Sequence, residues 1–158
     1  MMTSLPGGAV EAFWAEFVAA TGTDASYTAW AFGADDDSDQ QTQLGRLVLE
    51  GSKRATTGRL ADYENEALPQ PGDYSIILDG ARMPLCIIET TRIEVRRLDD
   101  VDDDFAWAEG EGDRSLAWWR EAHLGFFERA GTPIDGDTPL LLEWFDVVWP
   151  PARPSAWS

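Results

Sequence analysis

The chain has 158 residues, of which 44% are hydrophobic, so it is long and apolar enough to form one domain with a buried core. Its formal net charge is -17, which repels polyanions and counts against tight binding of long nucleic acid, although a small basic pocket is compatible with it. The single cysteine, Cys86, excludes an internal disulfide, no apolar run is long enough to cross a bilayer, and the N-terminus has no secretory pattern. We therefore expect a cytoplasmic protein without membrane contact.

The first half of the chain predicts two helices with an extended segment between them. Apolar residues in the stretch 10–18 recur at helical spacing. The stretch 27–33 alternates aromatic and small residues, which is typical of a short strand. A second helix is expected to begin at Ser38, because Gln41 three residues later completes a capping-box pattern, and Gly51 is well placed to end it.

The only lysine of the chain, Lys53, follows this second helix, and every other basic side chain is arginine or histidine. A buried lysine can lose its proton and act as a base, which arginine cannot, and Thr56 is a hydroxyl that such a base would activate. A position just past a helix C-terminus favours a charged lysine instead, because the carbonyl dipoles there attract a cation. The sequence leaves both protonation states open.

The second half of the chain predicts strands with one inserted helix. A long strand over 84–98 carries Glu89 on its inward face, where a carboxylate needs a cationic or hydrogen-bonding partner unless a twist brings it to solvent. A third helix is expected from Asp113, as N-cap, to residue 131. It carries the only histidine, His123, on its apolar stripe, which favours a satisfied core residue over a catalyst. A last strand is expected over 140–149.

The carboxylates of residues 99–104 predict a solvated loop. Three of them, together with Glu111, match ligand positions of a calcium-binding loop, but Phe105 stands where such a loop needs glycine. The chain also lacks a phosphate-binding glycine motif and a zinc-like spacing of cysteine and histidine. We therefore expect neither a metal nor a cofactor.

The order of these elements predicts an α+β chain with a strongly bent sheet or a small barrel. We expect a single domain over residues 10–149 and a loose C-terminal tail over residues 150–158.

The run Leu-Val-Leu-Glu-Gly-Ser-Lys-Arg-Ala-Thr at 47–56 resembles the signature of the ASCH domain family, which is related to the PUA fold and binds RNA. Pieces at 30–33, 87–91 and 118–120 agree in order with the same family, so the resemblance covers residues 10–149. It implies a small bent β-barrel of PUA-like form with flanking helices.

The family motif is written GxKxxTxR. Gly51, Lys53 and Thr56 match it, whereas its arginine position falls on Gly58, with Arg59 one residue later. This departure weakens the case for a direct role of an arginine.

The resemblance also implies an activity, because the family includes an amidohydrolase acting on acylated cytidine and a reported ribonuclease. The amidohydrolase is described with a lysine, a threonine and a glutamate. In this chain these would be Lys53 as base, Thr56 as nucleophile and Glu89 as the orienting or acid group. An ionised Glu89 beside Lys53 would raise the lysine pKa, so the two roles are compatible only if burial or a shared proton offsets that effect.

We expect a nucleoside or RNA as the partner, and the sequence fixes neither the exact substrate nor an oligomeric state. Aromatic rings would stack a base, and basic and hydroxyl groups would meet phosphates. The predicted substrate-binding residues are Trp30, Phe32, Arg54, Thr57 and Arg59. The alternatives are a non-catalytic RNA- or nucleotide-binding module and a regulatory domain that senses a small ligand.

Overall fold

The computed structural model of the chain describes residues 6–151, with side chains from residue 8 onward. Most of the predicted C-terminal tail, residues 152–158, lies outside the described residues. The helices are α1 (Pro6–Thr21), α2 (Ser38–Glu50), α3 (Asp103–Glu109) and α4 (Leu116–Arg129). The strands are β1 (Tyr27–Trp30), β2 (Ala55–Arg59), β3 (Tyr74–Leu78), β4 (Pro84–Arg97) and β5 (Pro139–Trp149).

The five strands form one mixed sheet in the order β1-β3-β4-β5-β2. β1 runs parallel to β3, whereas β3 with β4 and β2 with β5 are antiparallel. Within residues 6–151 the sheet stays open, because the short strands β1 and β2 lie at its two edges and each pairs on one side only. The α+β class is therefore confirmed, and the expected closure into a barrel is wrong.

The described chain divides into two compact units, and β4 and β5 contribute residues to both. The first unit comprises residues 6–49, 73–89 and 146–151, and the second comprises residues 50–72 and 90–145. The organisation of residues 10–149 as a single domain stays a prediction.

The first unit has a core between α1 and the inner strands. Val10 and Phe17 on α1 pack with buried Ile76 and Ile87. α2 begins at Ser38, as predicted, but the cap is Asp37, whose Oδ1 accepts a hydrogen bond from the Gln40 backbone N–H at 2.9 Å.

The core of the second unit lies where α3 and α4 meet β2 and β5. Its buried members are Ala55, Leu98, Val101, Phe105, Ala106, Trp119, Leu140 and Leu142. This core positions the candidate site, because β2 follows Lys53 directly and α3 ends at a buried glutamate, Glu109.

α3 begins within the predicted solvated loop and includes its last two residues, Asp103 and Asp104. Asp102 is its N-cap and accepts a hydrogen bond from the Phe105 backbone N–H at 2.9 Å. Gly110 follows the helix with φ of 73°, the left-handed conformation that commonly ends helices. The end of the carboxylate run thus starts a helix, while its aspartate side chains stay exposed.

α4 begins later than predicted. Its N-cap is Ser115, whose Oγ accepts from the Trp118 backbone N–H at 3.1 Å. Asp113 instead accepts from the Ser115 backbone N–H at 2.9 Å, so its carboxylate shapes the turn before the helix and Asp113 as N-cap is wrong.

Candidate functional site

Lys53 is 1% exposed and lies in the interior of the second unit. α2 ends just before it, and Gly51 has φ of 92°, so the chain turns sharply and then enters β2. The short segment between helix and strand therefore directs the only lysine inward.

Three acceptors lie closest to the ammonium of Lys53, and the Glu109 carbonyl oxygen lies further away at 3.4 Å. Its Nζ donates to the Ala55 carbonyl oxygen at 2.9 Å, to Glu111 Oε2 at 2.6 Å and to Glu109 Oε1. An ammonium has three N–H donors, so all of them are used in the protonated form. The geometry is that of a charged lysine held between two carboxylates.

Glu109 also contacts the other polar side chains of this interior. It is 1% exposed, and its Oε2 accepts from Thr57 Oγ1 at 2.5 Å and from Trp119 Nε1 at 3.3 Å. His123 Nε2 lies 3.3 Å from the same oxygen. A buried carboxylate is costly unless it is paired and hydrogen-bonded, and Glu109 satisfies both conditions.

His123 has an acceptor at each ring nitrogen. Its Nδ1 lies 2.8 Å from the Trp119 carbonyl oxygen, and its Nε2 faces the Glu109 carboxylate. A neutral imidazole carries one N–H, whereas the imidazolium carries two, so only the charged ring donates to both partners. Lys53, Glu109, Glu111 and His123 thus form a charged quartet with two positive and two negative members.

The pKa values of the quartet follow from these contacts. Burial opposes the charge on Lys53, but Glu109 and Glu111 outweigh it, so the pKa of Lys53 is raised. Burial also opposes the charge on Glu109, and Lys53 and His123 outweigh it and lower its pKa. Burial, together with the charge of Glu109, raises the pKa of Glu111 against the pull of Lys53.

The end of α3 and the loop after it, together residues 107–114, join the quartet to the signature segment by hydrogen bonds. The Arg54 backbone N–H donates to the Ala108 carbonyl oxygen at 2.7 Å, and Arg114 Nη2 donates to the Ser52 carbonyl oxygen at 3.1 Å. Gly110 lies so close to Ser52 that a Cβ on it would overlap the Ser52 carbonyl oxygen. The signature and this loop therefore form one packed structure.

The sequence predicted that Lys53 pairs with Thr56, whereas in the structure it is Thr57 that shares the Glu109 carboxylate with Lys53. Alternate residues of a strand point to opposite faces, so Thr56 lies on the other face of β2. There it is the cross-strand partner of Glu143 on β5, whose Oε2 accepts from Thr90 Oγ1 at 2.7 Å. The second unit thus has a distinct polar group on each face of β2.

The remaining predicted residues lie in several places. Glu89 belongs to the first unit, where it is half-buried opposite Tyr74. Trp30 and Phe32 also belong to that unit and pack edge to face at 4.6 Å, with Phe32 only 4% exposed. Arg54 is exposed, and Arg59 Nη2 donates to Asp62 Oδ1 at 2.5 Å. The roles of these residues stay predictions.

Within residues 6–151, no set of three or more histidine, cysteine, aspartate or glutamate side chains is arranged to hold a metal ion. None of the helices in that part of the chain is long and apolar enough to span a membrane.

Comparison with known proteins gives the family. A family model described as the ASCH domain matches residues 28–149. The chain belongs to the ASCH domain family. Among curated proteins, none matches it.

Two solved structures are similar to this ASCH domain over most of their length. A crystal structure of an ASCH domain from Lactobacillus crispatus JV V101 is 33% identical, with a TM-score of 0.79 over 87% of this chain and 92% of that one. A protein from Enterococcus faecalis V583 is 37% identical, with a TM-score of 0.79 over 88% and 87% of the two chains. A hypothetical protein, PH0355, shares the fold at 11% identity, with a TM-score of 0.54 over 78% and 100%.

Sequence reasoning missed Glu109 and Glu111 as partners of Lys53 in this ASCH domain. They lie 56 and 58 residues further along the chain. A signal was available, because Asp102 as N-cap and Gly110 after the last turn bracket a seven-residue helix that ends at Glu109.

Proposed function

We propose that this ASCH domain binds a nucleoside, free or within a short RNA, and hydrolyses an acyl amide on its base, with acylated cytidine as the substrate class. The observation that carries the proposal is the pairing of Thr56 with Glu143 across β2 and β5. It sets the hydroxyl of the family motif opposite a carboxylate that is 7% exposed. A hydroxyl and a nearby proton acceptor are the two groups from which an activated nucleophile is made.

The surroundings of this pair support the proposal. Side chains directly opposite in an antiparallel ladder have Cβ atoms about 4.5–5.5 Å apart. The ring of Tyr63 lies over Gly58 on the same face as Thr56, with its hydroxyl oxygen 3.7 Å from where a Cβ of Gly58 would be. Burial first, and then the charge of Glu143, raises the pKa of Tyr63, so its phenol keeps the proton and can donate a hydrogen bond.

In the proposed reaction, Glu143 takes the proton of the Thr56 hydroxyl while Oγ1 attacks the acyl carbon. The carbon–nitrogen bond breaks, and the base nitrogen leaves with the proton that Glu143 returns. Water then cleaves the acyl ester of Thr56, restores the hydroxyl and releases a carboxylic acid. Tyr63 donates to the oxygen that becomes negative in each step.

The role of Lys53 as base stays a prediction. It requires a neutral lysine, whereas Glu109 and Glu111 raise the pKa of Lys53. In this proposal Glu143 is the proton acceptor, and Lys53 holds the signature segment in place through the charged quartet. The role of Glu89 as the orienting or acid group stays a prediction from the family motif.

The test is hydrolysis of N4-acylated cytidine, followed by chromatography of the cytidine released. We expect the wild type to cleave it and Thr56→Val and Glu143→Gln each to lower kcat/KM by about 10²–10⁴, the range for loss of a general base. Thr91→Val, at an exposed position of β4, is the matched control and keeps its activity. Intact-mass measurement should detect an acyl group on the wild type but not on Thr56→Val.

Lys53→Arg separates the two accounts of the proton acceptor. If Lys53 is the base, this variant loses hydrolysis, because arginine does not deprotonate. If Glu143 is the base, a folded Lys53→Arg protein keeps part of it. Full activity of Thr56→Val would rule out the proposed nucleophile.

A non-catalytic RNA- or nucleotide-binding module is the second candidate, and the charged state of Lys53 with the exposed Arg54 favours it. Such a module would bind a short RNA with an affinity that falls as salt rises, by about 0.7 in logarithmic slope for each phosphate contact. Binding with that slope, together with no cleavage of any acylated nucleoside, would establish it in place of the hydrolase.

A further inference from the structure

Glu111 is the member of the charged quartet that reaches solvent most. Its side chain is 18% exposed, and its Oε2 binds Lys53. The contact with Lys53 is made by Oε2, so the other carboxylate oxygen, Oε1, is not part of that ion pair. An ionised carboxylate oxygen only accepts hydrogen bonds, so Glu111 presents one fixed acceptor at the surface of the second unit.

An exposed aromatic ring packs against the residue that follows Glu111. Gly112, next in the chain, has φ of 60° and packs so tightly on the Trp118 indole that a Cβ would overlap the ring. Trp118 is nonetheless 38% exposed. Glu111, Gly112 and Trp118 together are called the Trp118 ledge. Close by in the chain, Trp107 is 60% exposed, and the Arg114 guanidinium lies 3.8 Å from its ring centroid.

The ledge and the proposed reaction pair belong to different faces of β2. Thr57 points toward Glu109 and the quartet, whereas Thr56 faces Glu143. A ligand that contacts both places would have to extend past β2, which is an edge strand of the sheet. A single nucleoside bound at Thr56 leaves the ledge empty.

We propose that the Trp118 ledge binds a second nucleobase, stacked on Trp118 with its amino group donating to Glu111 Oε1, so that the ligand is an oligonucleotide and not a free nucleoside. This inference rests on the proposed function. Base stacking on an aromatic side chain is tolerant of sequence, and the carboxylate adds a preference. Cytosine and adenine offer an exocyclic amino donor, whereas the carbonyl of uracil would face Glu111 oxygen to oxygen.

The experiment compares cytidine with the tetranucleotides of cytidine, adenosine and uridine, by calorimetric titration at about 0.15 M salt, where surface charges are screened beyond about 8 Å. The proteins are the wild type, Trp118→Leu and Glu111→Gln, with Glu121→Gln as control at an exposed position of α4. We expect the wild type to bind the cytidine and adenosine tetranucleotides more tightly than cytidine and more tightly than the uridine tetranucleotide.

The variants separate stacking from recognition of the amino group. Trp118→Leu should lose about tenfold or more in tetranucleotide affinity, as expected for one lost base stack. Folded Glu111→Gln protein should lose the preference over uridine, and Trp118→Leu should bind cytidine as the wild type does. In wild-type NMR spectra, the indole N–H signal of Trp118, assigned with Trp118→Phe, should shift with a tetranucleotide and not with cytidine.

The outcomes are distinguishable. If tetranucleotides bind no tighter than cytidine, or if both variants and the Trp118 signal are unaffected, the ledge is not a base site while the proposed function stands. If neither cytidine nor any tetranucleotide binds the wild type, the proposed function fails and this inference fails with it.

Discussion

At the scale of single residues, the charged quartet is an arrangement in which each buried charge has an opposite charge in contact. His123 completes it, because its second N–H is present only when the ring is charged. Removing any one charge would leave an uncompensated charge in the interior, which typically costs about 3–5 kcal/mol.

A pH titration tests the state of His123. Burial alone would lower its pKa, but the hydrogen bond to Glu109, the charges of Glu109 and Glu111, and the bond to the Trp119 carbonyl raise it. As the only histidine, it gives one ring signal in NMR spectra, whose midpoint we expect above about 6.5. A midpoint at or below that value would contradict the imidazolium.

The free energy of unfolding should also depend on the protonation of His123. A group whose pKa is higher in the folded chain than in the unfolded one stabilises fully below the unfolded value, and the effect is lost as pH rises through the folded value. The free energy of unfolding measured with urea should therefore fall as pH rises above about 6.5. His123→Gln is the control. Because this variant has no imidazole to titrate, the part of the fall in stability that is due to His123 should be missing.

The sequence singled out Lys53 but not its partners, for a physical reason. A lone lysine among arginines is a compositional signal that needs no structure. Glu109 and Glu111 are two of many carboxylates in an acidic chain. They lie 56 and 58 residues after Lys53, and only the folding of the chain brings them next to it. The side chain that meets Glu109 is likewise fixed by which face of β2 is buried, so Thr57 and not Thr56 makes the contact.

At the scale of elements, the start of α2 was predicted correctly, the start of α4 was placed too early, and α3 was missed. The start of α2 at Ser38 follows from local hydrogen-bonding residues. α3 was missed because a run of aspartates is typical of an exposed loop, although one of them, Asp102, is a helix cap and Phe105 in the first turn is buried. The open sheet also was not readable, since closure depends on edge strands whose pairing is not local.

Gly110 tests the packing between α3 and the signature segment. Gly110→Ala forces a side chain into the left-handed region and against the Ser52 carbonyl oxygen. Gly72→Ala is the matched control, since Gly72 also has a positive φ, of 97°, but nothing lies within 4 Å of its Cβ. In urea unfolding we expect the control to lose about 1–2 kcal/mol and Gly110→Ala about 1–3 kcal/mol more. Equal losses would show that the close approach is unimportant.

At the scale of the whole molecule, the net charge of -17 is the dominant electrostatic property. Arginines offset part of it locally, as where Arg97 Nε lies 3.0 Å from Asp100 Oδ2, but exposed ion pairs of this kind contribute little. Self-repulsion among the remaining carboxylates destabilises the folded chain.

Added salt should therefore stabilise the protein. Raising NaCl from about 0.01 M to about 0.15 M shortens the screening length from about 30 Å to about 8 Å. We expect the thermal unfolding midpoint, followed by circular dichroism, to rise by a few degrees, and KCl to give the same rise. A lower midpoint at the higher salt concentration would mean that attractive ion pairs outweigh the repulsion.

The burial of Lys53 also has a practical consequence for chemical labelling. Reagents that acylate side-chain amines have a single target of that kind in this chain, and it is 1% exposed. Acylation of Lys53, read by peptide mass spectrometry, would thus follow opening of the second unit, and its rate under native conditions would measure how often that unit opens.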